Sequence, residues 1–510
     1  MKKFRDYAQN QLMLLPPSLE EFVPEDHEAR IVSDVVEAID LSRLMEEYAG
    51  GGAPAYHPAM MLKVLIYAYS QGIYSSRAIA RELKTNTAFM YLSGRGRPDF
   101  RTLCLFRAER SKVLPELFVE VVRLCAALGM VGLGHVAFDG TKLKANAAAR
   151  RTRDREQLEQ EMARIKEQVK EMIEASARID ALEDKTQGDN DGSQIREELR
   201  DKETRLNKLA EAQRELEREK LEKVNLTDPE SRFMRHVHRV IQPSYNGQVG
   251  VDEKEQVIVA AYVTQEASDN GELVRLIEQV ERNLGGSAKE NSADAGYFSY
   301  GNLEYVAQRG LKVYMPDCVW DTGAGAKVGK YGKSRFRYDG ERDIYLCPEG
   351  KELKRWQERK REGKPPLVLY RGQACSSCEQ LGRCASGKSR IVSRDGREPF
   401  LELMRGRLRS EEGKAIYKKR GYLVEPVFGQ MKWNRRKTSL AVRGLAKVNG
   451  EFSLMCLAHN MKKIAKKVRE SNVSVFAWKG DARGPTLGNS RQPAVLVERE
   501  TAVALTAMAR

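Results

Sequence analysis

Apolar positions recur at three- and four-residue spacing through residues 18–130, as in "HPAMMLKVLIYAYSQ" (57–71), and predict an all-helical unit over about 1–130. Within it "YSSRAIARELKTNTAFMYLSG" (74–94) reads as a helix-turn-helix or an ordinary helical hairpin. Ser75 or Ser76 caps a helix that buries Ile79, Ala80 and Leu83, and Phe89, Met90 and Leu92 fold back after the "KTNT" turn. Charged heptads follow. Leu158, Met162, Ile165, Val169 and Met172 step by four and three, and Ile195, Leu199, Leu206, Leu209 and Leu216 resume the rhythm after "TQGDNDGS". The pattern predicts an antiparallel helical hairpin inserted over 150–225, with a solvated single helix or an intermolecular coiled coil as the alternatives.

Strand period brackets this insertion. "GHVAF" starts as a buried strand that Asp139 closes, and "YNGQVGVDEKEQVIVAAYVT" (245–264) alternates around a polar turn as a hairpin. "SDNGELVRLIEQVERNLGG" predicts a helix from near Asp269, where Asp269 and Glu272 fit a capping box, to Gly285 and Gly286. A short strand ending at Asp294, a helix in "YGNLEYVAQRG" and a strand in "LKVYMP" complete a mixed α/β core over 131–317. A helical block over 401–470 continues that core. Residues 318–400 break the regularity with Gly, Lys, Arg and Cys, and 471–510 carry no sustained period.

With 510 residues the chain is a multidomain protein. Lys plus Arg exceed Asp plus Glu by 87 to 72, a net +15, which favours a polyanionic partner, nucleic acid before membrane. Residues 150–223 carry 18 basic and 21 acidic side chains, so the surplus lies elsewhere. Residues 405–443 hold 12 basic side chains against three Glu, with Tyr417, Tyr422, Phe428 and Trp433 interleaved, a composition suited to phosphates and an unstacked base. The early apolar run "LMLLPP" is short and closed by prolines, so a cytosolic protein without a membrane segment is expected. Neither G-x-x-x-x-G-K-[ST] nor a strand-linked G-x-G-x-x-G occurs, so ATP is not implied.

Three acids stand where chemistry is carried: Asp139 and Asp294 at strand exits and Glu425 in the basic helical block. An all-oxygen set of this kind suits Mg²⁺ or Mn²⁺, and two such ions can activate a water or a 3′-hydroxyl for in-line attack on a phosphodiester. Each acid alone has a plain structural reading: "FDG" and "ADAG" are ordinary turns, and Glu425 before a proline suits a solvated first turn. In "CSSCEQLGRC", Cys375, Cys378 and Cys384 form C-x2-C-x5-C, and Cys347 in "YLCPEG" offers a fourth thiolate for a structural Zn²⁺. Cys104, Cys125, Cys318 and Cys456 are isolated and read as buried apolar residues. The "HVH" at 236–238 reads as packing or phosphate contact.

Taken together, "AFDGTKLKANA", "ADAGYFS" and "YKKRGYLVEPVFGQMKWNRRK" resemble the DDE transposases of bacterial insertion sequences, in the branch with a Tyr–Arg–Glu–Lys signature. The resemblance spans about residues 15–467. It implies an RNase H-like catalytic core with Asp139, Asp294 and Glu425 as metal ligands, and DNA-end contacts from Tyr417, Arg420 and Lys432. Trp433, Arg435 and Arg436 extend that basic stretch; Trp433 would stack on a flipped nucleotide or sit in the core. The gap from Arg420 to Glu425 is one residue longer than the usual signature. The resemblance further implies double-stranded DNA partners (terminal inverted repeats and target), a homodimer on DNA, and recognition of the repeats by the N-terminal unit, where Arg77, Arg81, Lys84, Arg95 and Arg97 are available. The competing expectations are a DNA-binding regulator with structural acids and a nuclease without strand transfer.

Overall fold

The computed structural model describes residues 18–48, 55–186, 193–236, 239–317, 331–434 and 439–471. Its spine is the helix Leu445–Ser471, buried along most of its length. The N-terminal helices Glu28–Ala38, Pro58–Ser70 and Leu114–Ala127 pack on this spine, and the first two also pack on each other. Pro58–Ser70 is buried on nearly every side because it lies between neighbours. Helices Ser76–Thr85 and Thr87–Ser93 meet at Asn86, which ends the first and caps the second by accepting from Ala88 N at 3.0 Å. The turn is thus one residue, shorter than the "KTNT" reading, and Ser75 makes no side-chain cap. Arg77, Arg81, Lys84, Arg95 and Arg97 are available on this unit's surface, none of them buried.

The central sheet is built from β1 (His135–Lys144), and, beyond the small pair β2 (Thr152–Asp154) and β3 (Lys223–Asn225), from β4 (Arg232–Arg235), β5 (Ile241–Asp252), β6 (Ile258–Thr264), β7 (Glu290–Ala293) and β8 (Val313–Tyr314). Its order is β4-β5-β1-β7-β8 with β6 also on β5; β1 and β5 run antiparallel, while β1, β7 and β8 are parallel. β6 is buried throughout, so its free edge needs partners for its backbone groups. Amide side chains supply them. Asn449 accepts from Val263 N at 2.9 Å, Asn460 both accepts from Ile258 N and donates to Ile258 O, and Asn283 donates to Val259 O at 2.8 Å.

The charged segment forms two packed helices, Arg155–Thr186 and Ser193–Arg218, closed at their base by β2 and β3. Leu158, Ile165, Leu209 and Leu216 make its own small core, with Glu161 bonded to Arg153 and Arg205. Residues 331–395 hold a five-stranded antiparallel sheet in the order β13-β12-β11-β10-β9, where the sequence pattern shows only irregularity. Its strands are β9 (Arg337–Asp339), β10 (Ile344–Leu346), β11 (Glu352–Arg361), β12 (Lys364–Gly372) and β13 (Ile391–Asp395). β11 escapes a period-two reading because seven consecutive residues, 354–360, are exposed. A cluster of Tyr338, Tyr345 and Tyr370 holds this sheet instead. Among the described residues no helix is long and apolar enough to cross a membrane.

His135 at the start of β1 is 1% exposed and bonded through Nε2 to Ser292 Oγ at 2.8 Å. Burial holds its pKa down at about 4, against a smaller upward pull from Glu253. The unfolded chain takes up this proton near the ordinary 6.5, so stability should fall as pH drops from about 6.5 toward 4, by roughly 2 kcal/mol at about pH 5. Chemical denaturation across that window should show a slope that His135→Asn flattens; an unchanged slope would contradict the assignment.

Candidate active site

β7 pairs with only the first four residues of β1, and the last matched pair is Phe138 with Ala293. Asp139 and Asp294 are the next residues on two adjacent parallel strands, so the sheet itself brings them side by side. Asp139 lies mid-strand, since β1 continues to Lys144 against β5, and does not close the strand as its sequence position suggests. Asp294 does end its strand and caps the short turn Ala295–Tyr297 by accepting from Gly296 N at 2.9 Å. Asp139 accepts from Gly140 N at 2.8 Å and from Arg420 Nη1 at 3.2 Å. Burial pushes Asp139 up to about 7; Arg420 pulls it back, while Asp294 and Asp269 push it further.

Arg420 comes from the helix Glu411–Phe428, capped by Ser410 on Gly413 N at 3.0 Å. Lys419 instead reaches Glu253 at 3.2 Å, so the neighbour that faces Asp139 is Arg420, with the Tyr417 ring 5.9 Å away. Glu425 lies in the last turn of this helix, not the first, and is exposed. Pro426 follows it inside the helix and has no N–H to give the Tyr422 carbonyl. Gln256 Nε2 supplies that bond at 2.9 Å and fastens the helix to the β5–β6 turn. The chain then widens into a π-helical turn, Gly429–Asn434, which carries Lys432 onto Lys142 O at 2.7 Å. Burial first, then Lys142, lowers the Lys432 pKa to about 8. Arg420 and Lys432 thus fasten the helix along β1 on either side of Glu425.

Asp269 is the residue that sequence reasoning assigns to a helix cap. It does not cap the helix Leu273–Leu284: Glu272 holds that position without a side-chain capping bond, and the Asp269 carbonyl, not its carboxylate, accepts from Glu272 N. Its Oδ1 accepts from Asn246 Nδ2 at 2.5 Å, Gln248 Nε2 at 2.7 Å and Lys142 Nζ at 3.3 Å. Asn246 and Gln248 sit opposite Lys142 and Gly140 in the β1–β5 register and so share their face of the sheet. The legible signal is two fully buried amides in a strand otherwise built largely of small and apolar residues.

The fit to a hard divalent cation rests on the donor set: carboxylate oxygens in like-charge company, one of them with a raised pKa. Among the described residues no group of three acidic, histidine or cysteine side chains is drawn together tightly enough to hold an ion, and Arg420 is the cation on Asp139. Cys347, Cys375, Cys378 and Cys384 do converge on one cavity of about 30 Å³, all as free thiols, with Lys351 N donating to Cys347 Sγ at 3.3 Å. Cys125 and Cys456 are buried as expected, Cys104 is exposed, and Cys318 lies outside the described residues. So do Arg435, Arg436, His238 and the Trp433 side chain. His236 bonds Ser244 Oγ at 2.6 Å.

A mixed sheet that sets two aspartates on neighbouring strands, under a helix bearing Arg, Glu and Lys, fits a phosphoryl-transfer protein. Residues 17–109 match the family model described as Transposase domain (DUF772), and residues 346–465 match the one described as Transposase DDE domain. No curated protein matches the chain. These two matches, neither of which spans half of the chain, support a DDE transposase of an insertion-sequence family.

The glycine after Asp139 is a spatial requirement. A Cβ on Gly140 would stand 2.7 Å from both Asp269 Oδ1 and Gln248 Nε2. Gly140→Ala should therefore cost about 1–3 kcal/mol of stability, read as a lower melting temperature. A melting temperature equal to that of the parent would mean that Asp269 does not approach β1 this closely.

Proposed function

We propose that the central sheet is an RNase H-like core in which Asp139, Asp294 and Glu425 hold Mg²⁺ or Mn²⁺, two ions in all, and cut and join DNA at the element's terminal inverted repeats. The observation that carries this is the placement of Asp139 and Asp294 immediately after the last β1–β7 pair, with the Arg420–Lys432 helix fastened over them. When bound, the ions activate the attacking oxygen and stabilise the leaving oxygen of an in-line displacement.

In the first step a water attacks phosphorus at the element's end, the P–O3′ bond breaks, and a 3′-hydroxyl is released. That hydroxyl then attacks a target phosphodiester and displaces a target 3′-hydroxyl. One phosphodiester is exchanged for another, so joining needs no nucleotide cofactor. Arg420 is the counter-charge of Asp139 and turns toward a DNA phosphate once another cation neutralises the acid. Lys432 and Tyr417 flank the same helix, and Trp433, Arg435 and Arg436 continue the contact with the DNA end. The surface residues Arg77, Arg81, Lys84, Arg95 and Arg97 suit the duplex backbone of the repeat. Two ends handled together make a homodimer on DNA the working assembly, braced by the helical pair 155–218.

The support for a structural Zn²⁺ is the convergence of four free thiols at the base of the β10–β13 sheet. Elemental analysis should find about one zinc per chain, lost in Cys378→Ser; a zinc-free folded protein would refute this part.

Cleavage and joining of a duplex carrying the element's own end, in Mg²⁺, tests the whole reading. Asp139→Asn, Asp294→Asn and Glu425→Gln should each reduce both steps by at least about a thousandfold while retaining DNA binding. Variants as active as an active parent would remove the acids from the mechanism. Cutting without joining of a pre-cut end would make the protein a nuclease, and binding alone would make it a regulator.

A further inference from the structure

The five-stranded sheet has one face that its own core does not use. Tyr338, Tyr345 and Leu353 pair across β9, β10 and β11, and with Tyr370 and Val392 they fill the apolar side. The pleat turns the next residue, Lys354, to the opposite side, where its partner on β12 is Arg371 and the partner of Arg371 on β13 is Ile391. Lys354 and Arg371 are both exposed, and like charges directly opposite each other destabilise a sheet. The chain does little to offset this. Glu352 stands 4.0 Å from Lys354 Nζ and is also bonded to Arg342, while the Arg371 side chain donates to Ser389 Oγ at 2.8 Å and meets no carboxylate among the described residues. The β11 register slips between Arg355 and Gln357, and the residue in the slip, Trp356, turns to this face, its ring centroid 5.4 Å from the Arg371 guanidinium. Trp356 is 49% exposed and Ile391 43%. Arg359, paired with Leu367 four residues along β12 from Arg371, returns to the same face, exposed and without an ion pair among the described residues.

We infer that this face binds the sugar-phosphate backbone of duplex DNA, with Lys354, Arg371 and Arg359 on phosphates and the Trp356 indole against the sugars between them. The inference rests on the reading under Proposed function that the chain handles target DNA as well as its own ends, and it adds a contact surface outside the acid site. Charge selects the partner. Residues 351–394 carry 12 basic and four acidic side chains, so the sheet attracts anions as a unit. Its length selects a polymer: from Lys354 to Arg359 the strand covers about 15 Å, which a nucleic acid backbone spans and a single phosphate does not. Trp356 and Ile391 add an apolar strip that small counter-ions would leave in water. Contacts from Lys and Arg to phosphates fix position without reading bases, so the surface should hold duplexes irrespective of sequence.

The test is binding of the full-length protein to a duplex without terminal-repeat sequence, by fluorescence anisotropy across a salt series, alongside thermal melting. Lys354→Gln combined with Arg371→Gln should weaken binding by about tenfold or more and make the slope of log affinity against log salt shallower by about two. Because the two cations oppose each other, this variant should melt at or above the parental temperature. The control, Arg282→Gln combined with Lys289→Gln, removes the same charge from exposed positions on the core and should leave the slope at its parental value. Parental affinity and slope in the sheet variant overturn the inference, and so does an equal loss in the control, which marks a general field instead of contact. Should the sheet variant fail to fold, Arg359→Gln decides: a slope shallower by about one supports the inference, and a parental slope overturns it. Cutting at the element's own end should persist in the sheet variant. A parent that binds duplex through this face but never cuts would sink the three-acid reading and leave the surface standing.

Discussion

A carboxylate set into the middle of a sheet strand must be neutralised, and much of this protein is arranged around that requirement at Asp139. Its position is dictated by pairing: β7 stops at Ala293, and the next residue on each of two parallel strands is an aspartate. The cation that answers Asp139 arrives from a helix, 281 residues further along the chain. That helix cannot drift, because Gln256 takes the carbonyl freed by Pro426 and Lys432 grips the backbone of β1. The proline that would ordinarily break the helix thus becomes the point at which it is fastened to the sheet.

The same logic holds the N-terminal helices to this core. Glu451 is fully buried on the spine helix and accepts from Tyr69 Oη at 3.1 Å and from Ala441 N at 2.8 Å. Arg107, also buried, donates to Tyr69 Oη at 3.1 Å and to Tyr74 O at 3.0 Å. An acid and a base from opposite ends of the chain therefore share one tyrosine, and removing either would leave the other uncompensated in the interior. The loop just before the spine helix is fixed through its backbone to Glu451, so that loop and the N-terminal unit are anchored to one buried group.

Local signals are legible in the sequence where one residue decides one event. Gly285 ends its helix at φ 69°, Ser410 caps the acid-bearing helix, and Asp294 ends its strand. Most apolar steps of the charged hairpin, Leu158, Met162, Ile165, Val169, Leu206, Leu209 and Leu216, also match its packed residues, whereas Met172 and Leu199 lie outside that cluster. What cannot be read depends on contacts distant in sequence. Asp269 has the spacing of a helix cap, and only the approach of β5 and β1 reveals that Asn246, Gln248 and Lys142 claim its carboxylate. Gly140 and Gly296 resemble turn residues until that side chain is seen between them. The five-stranded sheet escapes because β11 is charged along an exposed run, so its stability comes from tyrosines on neighbouring strands rather than from its own alternation.

The central claim is that Asp139, Asp294 and Glu425 together hold divalent cations at a DNA end. Its most direct test is anomalous diffraction at the manganese edge from crystals of the full chain with its terminal-repeat DNA and Mn²⁺. The account predicts manganese between Asp139 and Asp294, with Glu425 turned inward and Arg420 displaced from Asp139 onto a phosphate. Anomalous peaks elsewhere, or an Arg420–Asp139 pair that persists beneath bound DNA, would contradict it.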